Sequence, residues 1–584
     1  MATPEFLCAS SDGTGCVNEA KYTCQNCRLV AYCGPSCQKA HWSTHKRDCK
    51  SPLNSLEWQP QNLINEAPTP AKLVDIDLLA KENPENQTKG EKFLWGNTPA
   101  IDVLKLESNE GVKHDEDLRI LFAASGDLRN LVKTIGQLPD TYRGSLEITL
   151  NDRDIDVVAR NLILIYIAIA GNHLASSIDS IIHIWYSALV RELELIILHH
   201  KLRPMVQAAC SEIKNNPYYD EPRSTFARTW GIGKYSLKLW LNKPSWNSLL
   251  SRLDVPLGLT AERAQQMRTA SLVNPAAVDY FERFMCLQPP SHRVASKKFQ
   301  YDGLLLPFGS SRQEFQVPNP TLFGQDHMWL PSYSADPLNG WSADDVCITS
   351  SGPATADLYG KLHFHLREEL RKFLTRLSTL NVSFILLQTD ACSLRNNLKE
   401  DVYDRVDRLI FVRTQVSNIS DLGFLGIPKT LYYTMPLLRS PRNNPHATLI
   451  TKFMNAVDEI LHDPSKKPDL ASQKRAAAER ISQYLPLDEH ALRSLPGALQ
   501  KYALGLTMLT HYDNAFNCYA EYYQLQSAAD QTNAVRKEPH TIVDKWPTRL
   551  KLQPGQPGAQ EEFDRHILRS VRGTLRYVEW QRRT

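Results

Sequence analysis

A chain of 584 residues that is 42% hydrophobic and 22% charged has the makeup of a globular protein with two to four domains. Its net charge of +3 is too small to argue for bulk nucleic-acid or membrane-surface binding, and its longest apolar run, Leu162 to Ala170, is too short to span a bilayer. No secretory, transit or lipidation signal is visible, which places the chain in a reducing compartment, cytosol or nucleus.

In chain order, the first informative stretch is Cys8 to Cys49, with seven cysteines and His45 in 42 residues; the other five cysteines are scattered singly. Cys24 and Cys27 form a C-x-x-C knuckle, Cys33 and Cys37 a C-x-x-x-C pair, and His45 and Cys49 an H-x-x-x-C pair. At these separations two side chains can grip one tetrahedral ion. Cys8 and Cys16 bring the ligands to eight, enough for two closed four-coordinate zinc sites with no position left for a reactive water, so the metal is structural. A disulfide framework is the competing reading, opposed by the odd cysteine count and the C-x-x-C knuckle. Metal binding would supply the folding free energy of so short a segment, on the order of 10 kcal/mol per site.

The string YCGPSCQKAHWSTHKRDC and the knuckle before it resemble the MYND-type zinc finger of fungal proteins. The resemblance implies alternating ligand pairs, with Cys8, Cys16, Cys33 and Cys37 on one zinc and Cys24, Cys27, His45 and Cys49 on the other. Seven residues separate Cys8 from Cys16, where the family usually has a C-x-x-C pair. His41, before Trp42, stands where the family commonly has a polar non-ligand. The family binds short proline-containing peptides, which implies groove contacts at Gln38 and Trp42: an indole offers a flat face to an extended proline ring, and Gln38 can hydrogen-bond peptide backbone. Alternatively, Trp42 packs the finger's small core.

Residues 51–92 are rich in Pro, Asn, Gln and charge and read as a linker that tethers the finger loosely. Residues 93–214 then read as α/β. Ile120 to Ala124 is a strand, Ser125-Gly126-Asp127 a turn, and Leu128, Leu131, Val132 and Ile135 mark a helix; a second strand in SLEITLND ends at Asp152, and Val157 to Ala170 is an apolar helix. Such connections predict a parallel sheet wrapped by helices. Asp179 to His200 reads as one long helix, interrupted by Pro204.

Residues 215–345 read as an irregular, helical insertion with a helix around Ala261 to Arg268. Residues 346–463 return to α/β, with a helix through Leu358, Leu362, Leu366, Leu370, Phe373 and Leu377 and strands in VSFILLQTD and RLIFVRTQV. Residues 464–584 read as mostly helical, ending in a helix near Glu561 to Gln581 with a basic stripe of Arg565, Arg569, Arg572 and Arg576. Interleaved acids make that stripe a solvated face rather than a nucleic-acid contact. His199-His200 and His363-x-His365 lack ligand partners and read as helix-surface residues.

Gly126 and Asp152, 26 residues apart, stand where a Rossmann-like sheet places a phosphate-admitting turn and a ribose-binding acid. The spacing also resembles class I S-adenosylmethionine-dependent methyltransferases, although G-x-G-x-G is missing. The segments FLWGNTPAIDVL, LRILFAASGDLRNLVKTI and LEITLNDRDIDVVARNLILI resemble a domain of unknown function that fungal MYND proteins share with the dynein axonemal assembly factor 3 family. The expected architecture is a cross-braced two-zinc finger on a large α/β domain with a Rossmann-like, methyltransferase-like parallel sheet, a helical insertion and a helical tail. The expected function is protein interaction and scaffolding through proline-containing motifs, without membrane or nucleic acid; the alternative is a methyltransferase using S-adenosylmethionine at the Gly126 turn.

Overall fold

The computed structural model describes residues 6–60, 92–214, 225–400, 410–463, 465, 470–486, 496–568 and 573–583. Most of the predicted linker, and Arg569 and Arg572 of the predicted stripe, lie outside these residues. In the finger, β1 (Tyr22–Thr23) pairs antiparallel with β2 (Ala31–Tyr32). The chain then runs through β3 (Leu118–Phe122), β4 (Leu146–Asp152), β5 (Leu189–Val190), β6 (Thr225–Ile232), β7 (Tyr235–Asn242), β8 (Val317–Pro318), β9 (Val382–Gln388), β10 (Arg413–Gln415), β11 (Thr448–Phe453), β12 (Ala534–Arg536) and β13 (Arg576–Arg582). β5 pairs with β8, and the other nine strands form one mixed sheet in the order β12-β13-β11-β10-β3-β4-β9-β7-β6.

Its six central strands, from β11 to β7, are parallel. Central strands covered on both faces must be apolar throughout, and LRILF and TLITKF are buried almost end to end. The helix Ile155–Ala170 is buried along most of its length, and its first turn is capped by the Asp154 carboxylate, which accepts from Asp156 N at 2.8 Å. The helix Leu358–Leu377 lies against Arg129–Gly136, capped by Asp357. Burial pushes the Asp357 carboxyl up to about 6, against the lowering pull of the Phe308 and Gly360 N–H groups.

Several sequence expectations are corrected. The sheet is mixed: β13 runs antiparallel to β11, and β6 to β7. The supposed insertion at 215–345 contributes the β6–β7 hairpin, and β7 pairs with β9 in the main sheet. Likewise the tail adds β12 and β13, so the expected helix over 561–581 stops at Ile567 and Arg576–Arg582 is a strand. Arg576 of the predicted stripe bonds Asp513 and lies against the Phe516 and Trp546 rings, which bury it. The helix expected over 179–200 breaks after Tyr186 and restarts at Glu192. Pro204 does not interrupt it further, because a wider π-type turn at Leu198–Leu202 precedes Arg203–Lys214. His363 and His365 are buried rather than on a helix surface.

The finger is not loosely tethered. Leu29 and Val30 are buried in the same apolar core as the body, together with Cys8, Ala9, Cys24, Cys27 and Cys49. Gly309 faces Ala9 so closely that a Cβ there would stand 2.7 Å from the alanine methyl. Phe6 packs edge-on against Phe364 at 5.0 Å between ring centres, and Ala356 N donates to Arg28 O at 3.1 Å. Residues after the finger add a clamp: Arg293 donates to Ser55 O at 3.0 Å and lies over the Trp58 ring. Gly497 N donates to Gln59 Oε1 at 3.0 Å.

Burial also holds His363 down to about 3, helped by the Arg367 charge, and His183, on the adjoining helix Leu174–Tyr186, well below its ordinary value. Both stay neutral in the fold, whereas the unfolded chain takes up protons below about 6.5. The His363 contribution is therefore complete above about pH 6.5 and is lost as pH falls from there towards 3, by about 2 kcal/mol at pH 5, and His183 acts in the same direction. Urea midpoints should fall between pH 7.5 and pH 5, and His363→Leu should flatten that fall; an unchanged slope in the variant would contradict the assignment.

Candidate functional site: two metal-binding clusters and a closed crevice

The finger is built to bring distant residues together. Cys24 N donates to Val30 O at 3.1 Å and Arg28 N to Cys24 O at 2.8 Å, with Arg28 in the left-handed region (φ +55°), so the knuckle turns sharply between Cys24 and Cys27. The helix Pro35–Cys49, started by a proline whose missing N–H costs nothing at that position, supplies Cys37, His45 and Cys49. Across the two strands and this helix, eight ligand atoms gather into two sets. Cys8, Cys16, Cys33 and Cys37 form one, Cys24, Cys27, His45 and Cys49 the other, and within each set all atoms lie within 4.8 Å of one another.

The spacing fits tetrahedral zinc. Zn–S bonds of about 2.3 Å place two thiolates on one ion roughly 3.8 Å apart. Cys24 and Cys49 sulfurs stand 3.7 Å apart, Cys16 and Cys33 3.6 Å, and Cys33 and Cys37 3.5 Å, while Cys27 Sγ is 3.4 Å from His45 Nε2. No such separation is a disulfide bond, and all seven thiols are free. Burial raises the Cys27 thiol, and negative charge on Cys24 or Cys49 would raise it further, so a cluster of thiolates requires a cation. Burial also lowers His45 to about 4, which keeps its imidazole neutral and able to donate a lone pair. His41 instead bonds the Tyr32 hydroxyl at 2.9 Å, outside either set. Asn26 Nδ2 donates to Cys49 Sγ at 3.2 Å and to Cys49 O at 3.0 Å, a supporting contact for that ligand which ligand spacing alone does not reveal.

Gln38 and Trp42 lie one turn apart on the same helix, between the ligands Cys37 and His45. Trp42 is 38% exposed, with one edge against the His45 ring at 6.0 Å between centres. Gln38 is half-buried. The indole thus covers a metal ligand on one side and offers surface on the other.

The turn after β3 is closed on itself. Gly126, at φ +55°, donates its N–H to Asp152 Oδ2 at 3.0 Å, and Asp152 Oδ1 accepts from Asp154 N at 3.0 Å. The two residues of the predicted cofactor motif therefore meet, but as each other's partners. Burial holds the Asp152 carboxyl above its ordinary value, despite the lowering effect of those N–H donors. The neighbouring Asp127 is ion-paired with Arg129 and accepts from Gly96 N at 2.8 Å, while Arg129 donates to Thr98 O at 2.9 Å. The segment Trp95–Thr98 is thereby strapped across the turn, and any side chain at Gly96 would collide with the Arg129 guanidinium.

Comparison with known proteins agrees with the finger and with part of the body. Residues 8–49 are a MYND finger, and residues 94–190 match a domain of unknown function, DUF4470. Histone-lysine N-methyltransferase ASHR1 of Arabidopsis thaliana is 31% identical over 134 residues, 23% of this chain and 26% of that protein. Dynein axonemal assembly factor 3 of Danio rerio is 36% identical over 75 residues, 13% of this chain and 15% of that protein. The chain thus spans about a quarter or less of the length of either relative. No solved structure matches.

The two sets predict about two zinc ions per purified chain by elemental analysis. Cys16→Ser should lower this to about one while sparing the buried set that contains His45; two ions retained in that variant would contradict the cross-braced pairing.

Proposed function

We propose that this protein is a zinc-held interaction scaffold whose finger binds short proline-containing peptides across Gln38 and Trp42. The observation that carries the reading is Trp42 itself: a partly exposed indole fixed in place by its contact with His45, one helical turn from an amide side chain. A rigid aromatic face loses little entropy on docking an already extended proline segment. One relative is named an assembly factor, which is in keeping with a scaffold role. Free thiols in both metal sets suit a reducing compartment, cytosol or nucleus. Among the described residues, no helix is long and apolar enough to cross a membrane.

A second reading rests on the sheet. With β7 of the hairpin set aside, the parallel strands follow the order third, second, first, fourth, fifth along the chain (β9-β4-β3-β10-β11), the order of Rossmann-like dinucleotide folds. One relative is named a methyltransferase, which favours an S-adenosylmethionine enzyme on such a sheet. Against it stands the mutual hydrogen bond of Gly126 and Asp152, which commits both motif residues to the fold. The scaffold reading is therefore preferred.

Replacing Gln38 and Trp42 together by Ala should weaken binding of a proline-rich peptide library by about 30-fold or more, with both zincs retained. Loss of zinc along with binding would show that Trp42 acts as packing alone. For the body, Asp152→Ala should cost about 1 kcal/mol in urea unfolding, because the half-buried Gly126 N–H loses its carboxylate acceptor. S-adenosylmethionine at millimolar concentration should leave the melting temperature unchanged; a rise of several degrees, lost in Asp152→Ala, would favour the enzyme.

A further inference from the structure

A cavity of about 350 Å³ lies beside the first turns of the helix Ile155–Ala170, which follows β4, and so on the carboxyl-end side of the parallel strands. That is the side on which open parallel sheets take ligands, and the volume falls within the roughly 300–1,000 Å³ of small-molecule sites. Its walls include Ala159, Arg160, Arg252, Thr321, Phe323 and Leu330, and neither Gly126 nor Asp152 lines it.

Arg160 is the unusual member of this wall. It is 3% exposed, yet its guanidinium partners are uncharged: the Thr321 hydroxyl and carbonyl, Trp185 O at 2.7 Å, and Ile184 O at the edge of hydrogen-bond reach. Among the described residues, no carboxylate lies within ion-pair distance of it. The acids that influence it from further away are already spoken for, Asp127 by Arg129, and Asp156 by both Lys92 and Arg252. Burial pulls the guanidinium down to about 10, in line with the cost of holding its charge without a counter-ion. Asp326, the remaining acid of the lining, stands at the exposed rim.

We propose that this cavity binds a small organic anion, whose carboxylate or phosphate meets Arg160 while its apolar part rests on Phe323 and Leu330. The bound oxyanion supplies the counter-charge that the protein withholds, and the site is separate from the finger's peptide face. The cavity's modest volume restricts the ligand to a compact molecule, and Arg160, the wall cation without a carboxylate partner among the described residues, selects for negative charge.

The test uses the full zinc-loaded chain in thermal denaturation with benzoate, phenyl phosphate and the uncharged benzamide, against potassium chloride at matched ionic strength. At least one of the two anions should give a saturable rise of a few degrees that benzamide does not, and which of them does so tells a carboxylate site from a phosphate site. Arg160→Met should abolish the rise. Should that variant fail to fold, Ala159→Leu decides, since it fills the cavity from a helix that tolerates leucine and leaves the guanidinium in place. The proposal is overturned if neither anion shifts the wild type, if benzamide shifts it equally, or if the rise survives in Ala159→Leu.

Discussion

The constraint on which the finger and its docking onto the body depend is the closure of two tetrahedra by residues that are not contiguous in the chain. Neither ligand set is contiguous: one needs Cys8 and Cys16 to meet Cys33 and Cys37, the other needs the knuckle to meet the far end of a helix. Meeting these conditions folds the hairpin, the knuckle and the helix Pro35–Cys49 at once, because no ligand can be placed without the others. The consequence reaches further than the finger. Leu29 and Val30, beside the knuckle of Cys24 and Cys27, are among the residues that the finger contributes to the core it shares with the body. Metal sites confined to residues 8–49 thus orient a surface that packs against the α/β domain.

The body handles its polar groups in a related way, by satisfying them internally. Asp152 caps Gly126, Asp127 and Arg129 hold down Trp95–Thr98, and Asp421, buried at the carboxyl end of the sheet, accepts from Met454 N at 3.0 Å. Beside them Lys452 is buried, its amine donating to Thr98 Oγ1 at 3.3 Å, and burial takes that amine down to about 7. In an open parallel sheet these positions would be turned to a ligand. Here the chain itself occupies them, which is the physical basis for regarding the Gly126 region as framework. Arg160 departs from this pattern and gives the neighbouring cavity its interest.

Much of the metal chemistry was legible because it is local: pair spacing in Cys24/Cys27, Cys33/Cys37 and His45/Cys49 restricts geometry whatever the rest of the chain does. The strands β4 and β9 and the helix Leu358–Leu377 were legible from apolar runs and period. The hairpin at 225–242 was missed although Gly231-Ile232-Gly233-Lys234, between two aromatic-rich runs, carries a turn signal; its exposed, polar face hid the strand period. β10 falls inside the apolar run RLIFVRTQV that reads as a strand, whereas β12 is three residues, too short to show any period. Docking of the finger was not read, since the close approaches that admit it, at Gly309 against Ala9 and at Gly352 against Phe6, come from residues without side chains, which leave no pattern. The proline-rich stretch read as free chain for a similar reason: Trp58 and Gln59 find their partners, Arg293 and Gly497, more than 200 residues away.

The central claim is that the metal-held finger is part of the body's core. Hydrogen–deuterium exchange of the full chain before and after zinc chelation addresses it directly, because amides protected by the docked finger belong to the body. Removing zinc should accelerate exchange at Ala356, whose N–H is bonded to Arg28 O, and across 304–309 and 351–364 opposite the knuckle. Faster exchange confined to residues 6–49, with those body segments unchanged, would contradict the account and return the finger to the status of an independent module.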